Sequence, residues 1–139
     1  MPTEILPGVH DITVRADENG RRYRAYLIDD GVPTLFDAGF ADTTDALFEG
    51  IAGTGLEPER LVLTHADPDH VGGFDAAVDR YDLETYVPEG SDLDVEHEPD
   101  RRYGDGDRIG GFEAVHVPGH RHDHHALVDE GRGVLVAAD

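Results

Sequence analysis

The sequence predicts an α/β layered protein, and three observations carry the prediction. Short apolar or alternating runs bounded by turn residues recur along the chain, as strands do. Two longer segments at helical period interrupt them. Meanders at both ends enclose a strand, helix, strand, helix, strand middle, the order of a layered fold. At 139 residues the whole chain, 1–139, reads as a single domain, long enough for a real core but without room for a second.

Val9 to Arg15 forms the first expected strand, ended by Asp17-Glu18-Asn19-Gly20. Tyr23 to Asp29 forms the next, and Asp29-Asp30-Gly31 turns it into Val32 to Phe36. Asp42 to Gly53 has helical spacing. Thr43 or Thr44 is placed to cap it, Leu47, Phe48 and Ile51 form its buried stripe, and Gly53 and Gly55 end it. Arg60 to Thr64 is a short buried strand. Val71 to Tyr81 is a second helix, with Phe74, Val78 and Tyr81 on one face, and Leu83 to Val87 is a strand broken by Pro88-Glu89-Gly90. Ser91 to Arg102 is charged and weakly patterned, as an exposed loop or flap over an active site would be. Arg108 to Val117 and Ala126 to Ala137 close the chain as strands, with turns at Gly110-Gly111 and Glu130-Gly131.

Composition narrows the function classes. The absence of cysteine excludes disulfides and thiolate ligands, so any metal must be held by imidazole and carboxylate, donors that suit zinc, iron or manganese. The formal charge is −20, and all 11 basic residues are arginine. Asp and Glu are spread from Glu4 to Asp139 rather than gathered in a tail. Such a surface fits molar salt, where the Debye length is about 3 Å and self-repulsion is screened; an extreme halophile is the expected source. A field this negative disfavours nucleic acid and anionic membranes as partners. No apolar run reaches the roughly 20 residues that cross a bilayer, and the start lacks the layout of a secretory signal, so the expected location is the cytoplasm.

The densest chemical signal is Thr64-His65-Ala66-Asp67-Pro68-Asp69-His70-Val71-Gly72-Gly73. It places four potential ligands between a buried strand and a helix. A chain leaving a strand can aim residues 65 and 67 at one metal and 69 and 70 at a neighbour, while the two glycines let the backbone turn without crowding the site. A polar turn with a capping Asp is the alternative, and a second histidine cluster weighs against it. That cluster is Pro118-Gly119-His120-Arg121-His122-Asp123-His124-His125. His116, His120, His122, His124 and His125 make five of the nine histidines. His120, following Pro-Gly at a strand end, is placed to complete the first ligand set. His122 and His125 read as surface imidazoles, His116 as a packing residue, and His10 and His97 as incidental. Val134 to Asp139 is an apolar strand ending in a carboxylate.

Together these segments resemble the metallo-β-lactamase superfamily, in order along nearly the whole chain. His65-x-Asp67-x-Asp69-His70-x-Gly-Gly is similar to the family's His-x-His-x-Asp-His signature, Pro118-Gly119-His120 to its second ligand motif, and Ala138-Asp139 to its strand-ending, metal-bridging Asp. Thr34-Leu35-Phe36-Asp37-Ala38-Gly39 resembles a family segment whose Asp supports the ligand loop from behind. The resemblance implies the αβ/βα sandwich of that family, here mainly its N-terminal half. It implies two divalent metal ions, by default zinc, with His65, Asp67 and His120 on the first, Asp69 and His70 on the second and Asp139 between them. It further implies hydrolysis of a small-molecule ester, thioester or lactone, as in glyoxalase-II-like members, by a hydroxide bridging the metals, with Asp69 as the catalytic carboxylate.

Two departures qualify this. Asp67 replaces the usual second His; flavodiiron members place a Glu there, which makes iron or manganese, and a di-iron redox or oxygen-handling site, the alternative. The further His that the family supplies beyond the bridging Asp has no counterpart within 139 residues, so a non-catalytic metal-binding member, or one that pairs with another chain as a homo-oligomer, is a further expectation. His124 is a candidate to line the substrate pocket; Arg101, Arg102 and Arg121 read first as ordinary surface charges, with holding an anionic substrate as the alternative.

Overall fold

The computed structural model describes residues 3–6, 8–16, 22–29, 31–40, 42–64, 72–89, 95–117, 125–129, 131 and 133–136. In chain order the elements are β1 (Thr3–Leu6), β2 (Val9–Ala16), β3 (Arg22–Asp29), β4 (Pro33–Phe36), α1 (Thr44–Thr54), β5 (Arg60–Val62), α2 (Phe74–Arg80), β6 (Glu84–Pro88), β7 (Arg101–Tyr103), β8 (Arg108–Ile109), β9 (Phe112–His116), β10 (His125–Asp129) and β11 (Val134–Val136).

They make two sheets. The first runs β1-β2-β3-β4-β5-β6-β7, the second β11-β10-β9-β8. The opening meander is antiparallel through β4. From β4 onward, β5, β6 and β7 pair in parallel. A parallel pair needs a crossover, and α1 and α2 supply the first two, linking β4 to β5 and β5 to β6. The second sheet is an antiparallel meander throughout.

Strict alternation in the first sheet sorts its side chains between two cores. Ala25, Leu27, Leu35, Leu61, Leu63 and Val87 face the helices and pack on Leu47, Ile51, Phe74 and Ala77. Their neighbours Ile28, Phe36 and Val62 face the second sheet and meet Ile109, Phe112, Ala114, Leu127, Val134 and Val136. The contact between sheets includes Phe36 edge-on to Phe112, with ring centroids 5.0 Å apart. Burial on both faces explains why the central strands read as near-continuous apolar runs. The layers are therefore helices, sheet, sheet. The second core includes no helical residue, and on the outer face of the second sheet Leu135 is 62% exposed.

Most expected elements are present, with three differences. β1 was not expected. The loop expected over Ser91 to Arg102 is held down over its described part: Asp75 of α2 accepts the N–H groups of Glu96 and His97, His97 Nε2 lies 2.7 Å from Asp79, and Asp100 bonds Thr85 of β6. The chain then enters the sheet as β7, so residues 95–102 are a fastened connection rather than a flap; 91–94 lie outside the described residues. His97 thus has a definite partner. Thr43 precedes α1 but makes no side-chain cap to it; its hydroxyl closes the preceding turn on Phe40 instead. Of the two glycines expected to end the helix, Gly53 lies within it and Gly55 caps it in the left-handed conformation at φ 74°. Among the described residues no helix is long and apolar enough to cross a membrane.

Candidate metal centre

The expected ligands His65, Asp67, Asp69, His70, His120 and Asp139 lie outside the described residues, as do Arg121, His122 and His124. The structure describes the residues from which the three segments that carry them leave and return. That framework gathers the three segments at one place.

The first segment leaves β5 at Val62. From there each backbone polar group up to Thr64 is taken up. Val62 C=O accepts the Asp37 N–H at 2.9 Å, and Leu63 N–H donates to Tyr86 C=O at 3.0 Å. The Tyr103 hydroxyl donates to Leu63 C=O. Asp37 accepts Thr64 N–H at 2.9 Å on Oδ1 and the Thr64 hydroxyl at 2.9 Å on Oδ2. Finally, Thr64 C=O accepts the His125 N–H at 2.9 Å. Buried backbone groups must find such partners, and here the partners come from the residue after β4 and from β6, β7 and β10 at once. The segment returns at Gly73, whose N–H donates to Gly39 C=O at 3.2 Å. A Cβ on Gly73 would stand 2.3 Å from the Ala38 carbonyl oxygen, which is why the chain can come back so closely only through glycine.

The second segment leaves β9 at His116 and re-enters at His125, and these two residues are cross-strand partners. The third leaves β11 beyond Val136, which pairs with Leu127 of β10; the exit of β11 therefore lies beside the entry of β10. Since His125 bonds Thr64, the roots of the three segments that carry the expected ligands meet at the C-terminal end of β5. The donors carried there are imidazoles and carboxylates, the set that divalent zinc, iron or manganese takes up. Framework and donor chemistry thus both fit a metal centre.

Asp37, for which the resemblance implied a supporting role, accepts both donors of Thr64, the last described residue before the segment that carries His65 to His70. It is 2% exposed and holds φ 66°, the one described non-glycine residue at positive φ, a conformation that Asp and Asn visit more readily than other side chains.

Two sequence readings change. His125 is not a surface imidazole: it is 3% exposed, with its ring 5.0 Å from that of Tyr103 and 4.9 Å from that of His116. The signal was available, since beginning the strand one residue earlier puts His125, Leu127 and Asp129 on one face. His116, expected to pack, is exposed at the strand end, though its ring contacts His125. Arg101 is the surface charge expected first: it is exposed, lines an acidic cleft with Glu59, Asp82, Glu84 and Asp100 at the N-terminal ends of β5 and β6, and pairs with Glu84 at 3.8 Å. That end of the strands is opposite to the ligand roots. Tyr103 was missed altogether, because nothing around Arg101-Arg102-Tyr103 marks a strand.

Residues 20–139 match the metallo-beta-lactamase superfamily, and the chain belongs to that family. It corresponds to the N-terminal part of the αβ/βα sandwich. Among curated proteins it is 31% identical over 90 residues to a hydroxyacylglutathione hydrolase of Xylella fastidiosa, a match covering 61% of this chain and 33% of that protein. It is also 31% identical over 108 residues to an atrochrysone carboxyl ACP thioesterase of Aspergillus fumigatus, covering 73% and 24%. Among solved structures, the rubredoxin oxygen:oxidoreductase of Desulfovibrio gigas superposes with a TM-score of 0.80 at 22% identity, covering 97% of this chain and 40% of that one. The chain thus spans about a third or less of the length of these curated relatives.

Proposed function

We propose that this chain forms the metal-binding part of a hydrolase acting on acyl thioesters or related small esters. The convergence of the three ligand-bearing segments on Thr64 carries the reading, and the hydrolase and thioesterase names of the two relatives support the substrate class. His65, Asp67 and His120 would hold one divalent ion and Asp69 and His70 a second, with Asp139 shared. When bound, such a pair supplies a nucleophilic water at neutral pH and polarises the scissile carbonyl. Asp69 would orient that water through a carboxylate oxygen and carry its proton to the leaving sulfur or oxygen. Asp37 and Gly73 hold the segment at its two roots, Thr64 and Gly73.

The test is hydrolysis of a panel of acylglutathione thioesters and lactones by the zinc-loaded chain in molar salt. A metal-dependent rate that Asp69→Ala abolishes is expected; the absence of a metal-dependent rate on every substrate refutes the reading.

Asp67 favours a second reading, a di-iron redox centre, because a carboxylate at that position is a harder donor than imidazole. Elemental analysis of protein purified in its native salt decides: iron supports it, zinc alone excludes it.

A further inference from the structure

We propose that Tyr103 is a positioning residue of the metal centre, fixing the segment that carries His65 to His70 against the segment that carries His120. The proposal rests on the metal-centre reading above and adds to it a residue from an edge strand.

Tyr103 ends β7, two strands away from β5 in the sheet order. It is 2% exposed and reaches the core between the sheets. Its hydroxyl donates to Leu63 C=O, two residues before His65. Its ring stands edge-on to that of His125, with centroids 5.0 Å apart and planes at 73°. His125 closes the segment containing His120, and its own N–H is bonded to Thr64 C=O. One side chain therefore touches both ligand segments at their roots. Behind His125 lies the His116 ring, and the backbone N–H of His116 donates to Asp105 at 3.0 Å.

A phenol suits this place for two reasons. Beyond Val62 the Leu63 carbonyl is past the end of the strand, and it is buried, so it needs a donor that arrives from a distance. The aromatic body meanwhile fixes the imidazole by an edge-to-face contact, whose geometry is directional. Partners that orient metal ligands from behind change metal affinity by about 10–100-fold when lost; a residue acting one step further back belongs at the lower end.

The experiment compares cobalt(II) binding by the full chain and its variants, through chelator competition and the visible d–d spectrum of the loaded protein. Tyr103→Phe, which keeps the ring and removes the donor, is expected to bind cobalt about tenfold more weakly and to shift the d–d bands. His125→Leu keeps the backbone bond to Thr64 and loses the ring contact. It is expected to move both readouts the same way by less, and it decides the question should Tyr103→Phe fail to fold. Thr85→Val is the control: it removes a buried hydroxyl bonded to Asp100 at the N-terminal end of β6, away from the ligand roots. It is expected to lower stability while leaving affinity and spectrum unchanged. Wild-type affinity and spectrum in Tyr103→Phe, or an equal change in Thr85→Val, overturns the proposal alone. A wild-type chain that takes up no cobalt overturns the metal-centre reading, and this proposal with it.

Discussion

Asp37→Ala, compared with Asp37→Asn, tests the claim that Asp37, next after β4, holds Thr64 at the root of the segment that carries His65 to His70. Asp37 sits at φ 66° with its carboxylate accepting both the N–H and the hydroxyl of Thr64. Alanine in the left-handed region costs about 1–2 kcal/mol. Removing the acceptor from the buried Thr64 N–H costs about 1–3 kcal/mol more. The sum, about 2–5 kcal/mol, is a large part of the roughly 5–15 kcal/mol by which a domain is stable. Asparagine tolerates the same backbone, its amide oxygen accepts the N–H, and the Thr64 hydroxyl can rotate to accept from the amide. Its loss should be about 1 kcal/mol, the difference between a charged and a neutral acceptor. Both variants remove one negative charge, so the relief of self-repulsion in a chain of net charge −20 cancels between them. Thermal and urea melts of the metal-free protein at fixed salt measure the difference. At roughly 3–4 °C per kcal/mol for this size, the alanine variant should melt about 6–20 °C below wild type and the asparagine variant within about 4 °C of it. Equal melts for the two variants would refute the reasoning, as would an alanine variant as stable as wild type.

Gly73→Ala pushes a methyl against the Ala38 carbonyl, and since backbone cannot yield as a side chain can, about 1–3 kcal/mol should be lost; an unchanged urea midpoint would contradict the close approach. Phe112→Ala empties the contact with Phe36 between the sheets, and a loss of about 3–5 kcal/mol is expected from denaturant titration. Burial first, then the hydrogen bond to Glu84, raises the Tyr86 hydroxyl above its ordinary pKa of 10.0. The neutral phenol is the form the fold prefers, so its contribution is complete below pH 10 and is lost as pH rises through the raised value. Melting temperature measured from about pH 9 upward should therefore fall more steeply in wild type than in Tyr86→Phe, and parallel curves would count against it.

How much of this was legible beforehand differs by element. α1, α2 and the strands from β2 to β6 declared themselves because their apolar positions repeat at the period of the structure they form. β7 did not, since Arg101-Arg102-Tyr103 shows no such period and owes its strand conformation to pairing with β6. The direction of pairing was hidden as well: β4 and β5 run parallel only because α1 carries the chain back across the sheet.

For the candidate centre the division is sharper. The sequence by itself determined which donors are available, because imidazole and carboxylate at 65, 67, 69, 70, 120 and 139 are facts of covalent order, and their spacing after a buried strand already points to metal. What only the tertiary structure decided is how those segments are held together. Asp37 and Gly39 come from the loop after β4, Tyr103 from β7 and His125 from β10, and they meet around Leu63, Thr64 and Gly73 through hydrogen bonds to backbone groups. Such bonds follow from where strands end in space, and a backbone carbonyl has the same chemistry whatever side chain it carries. No local pattern around Tyr103 or His125 could therefore announce that each would reach the end of β5.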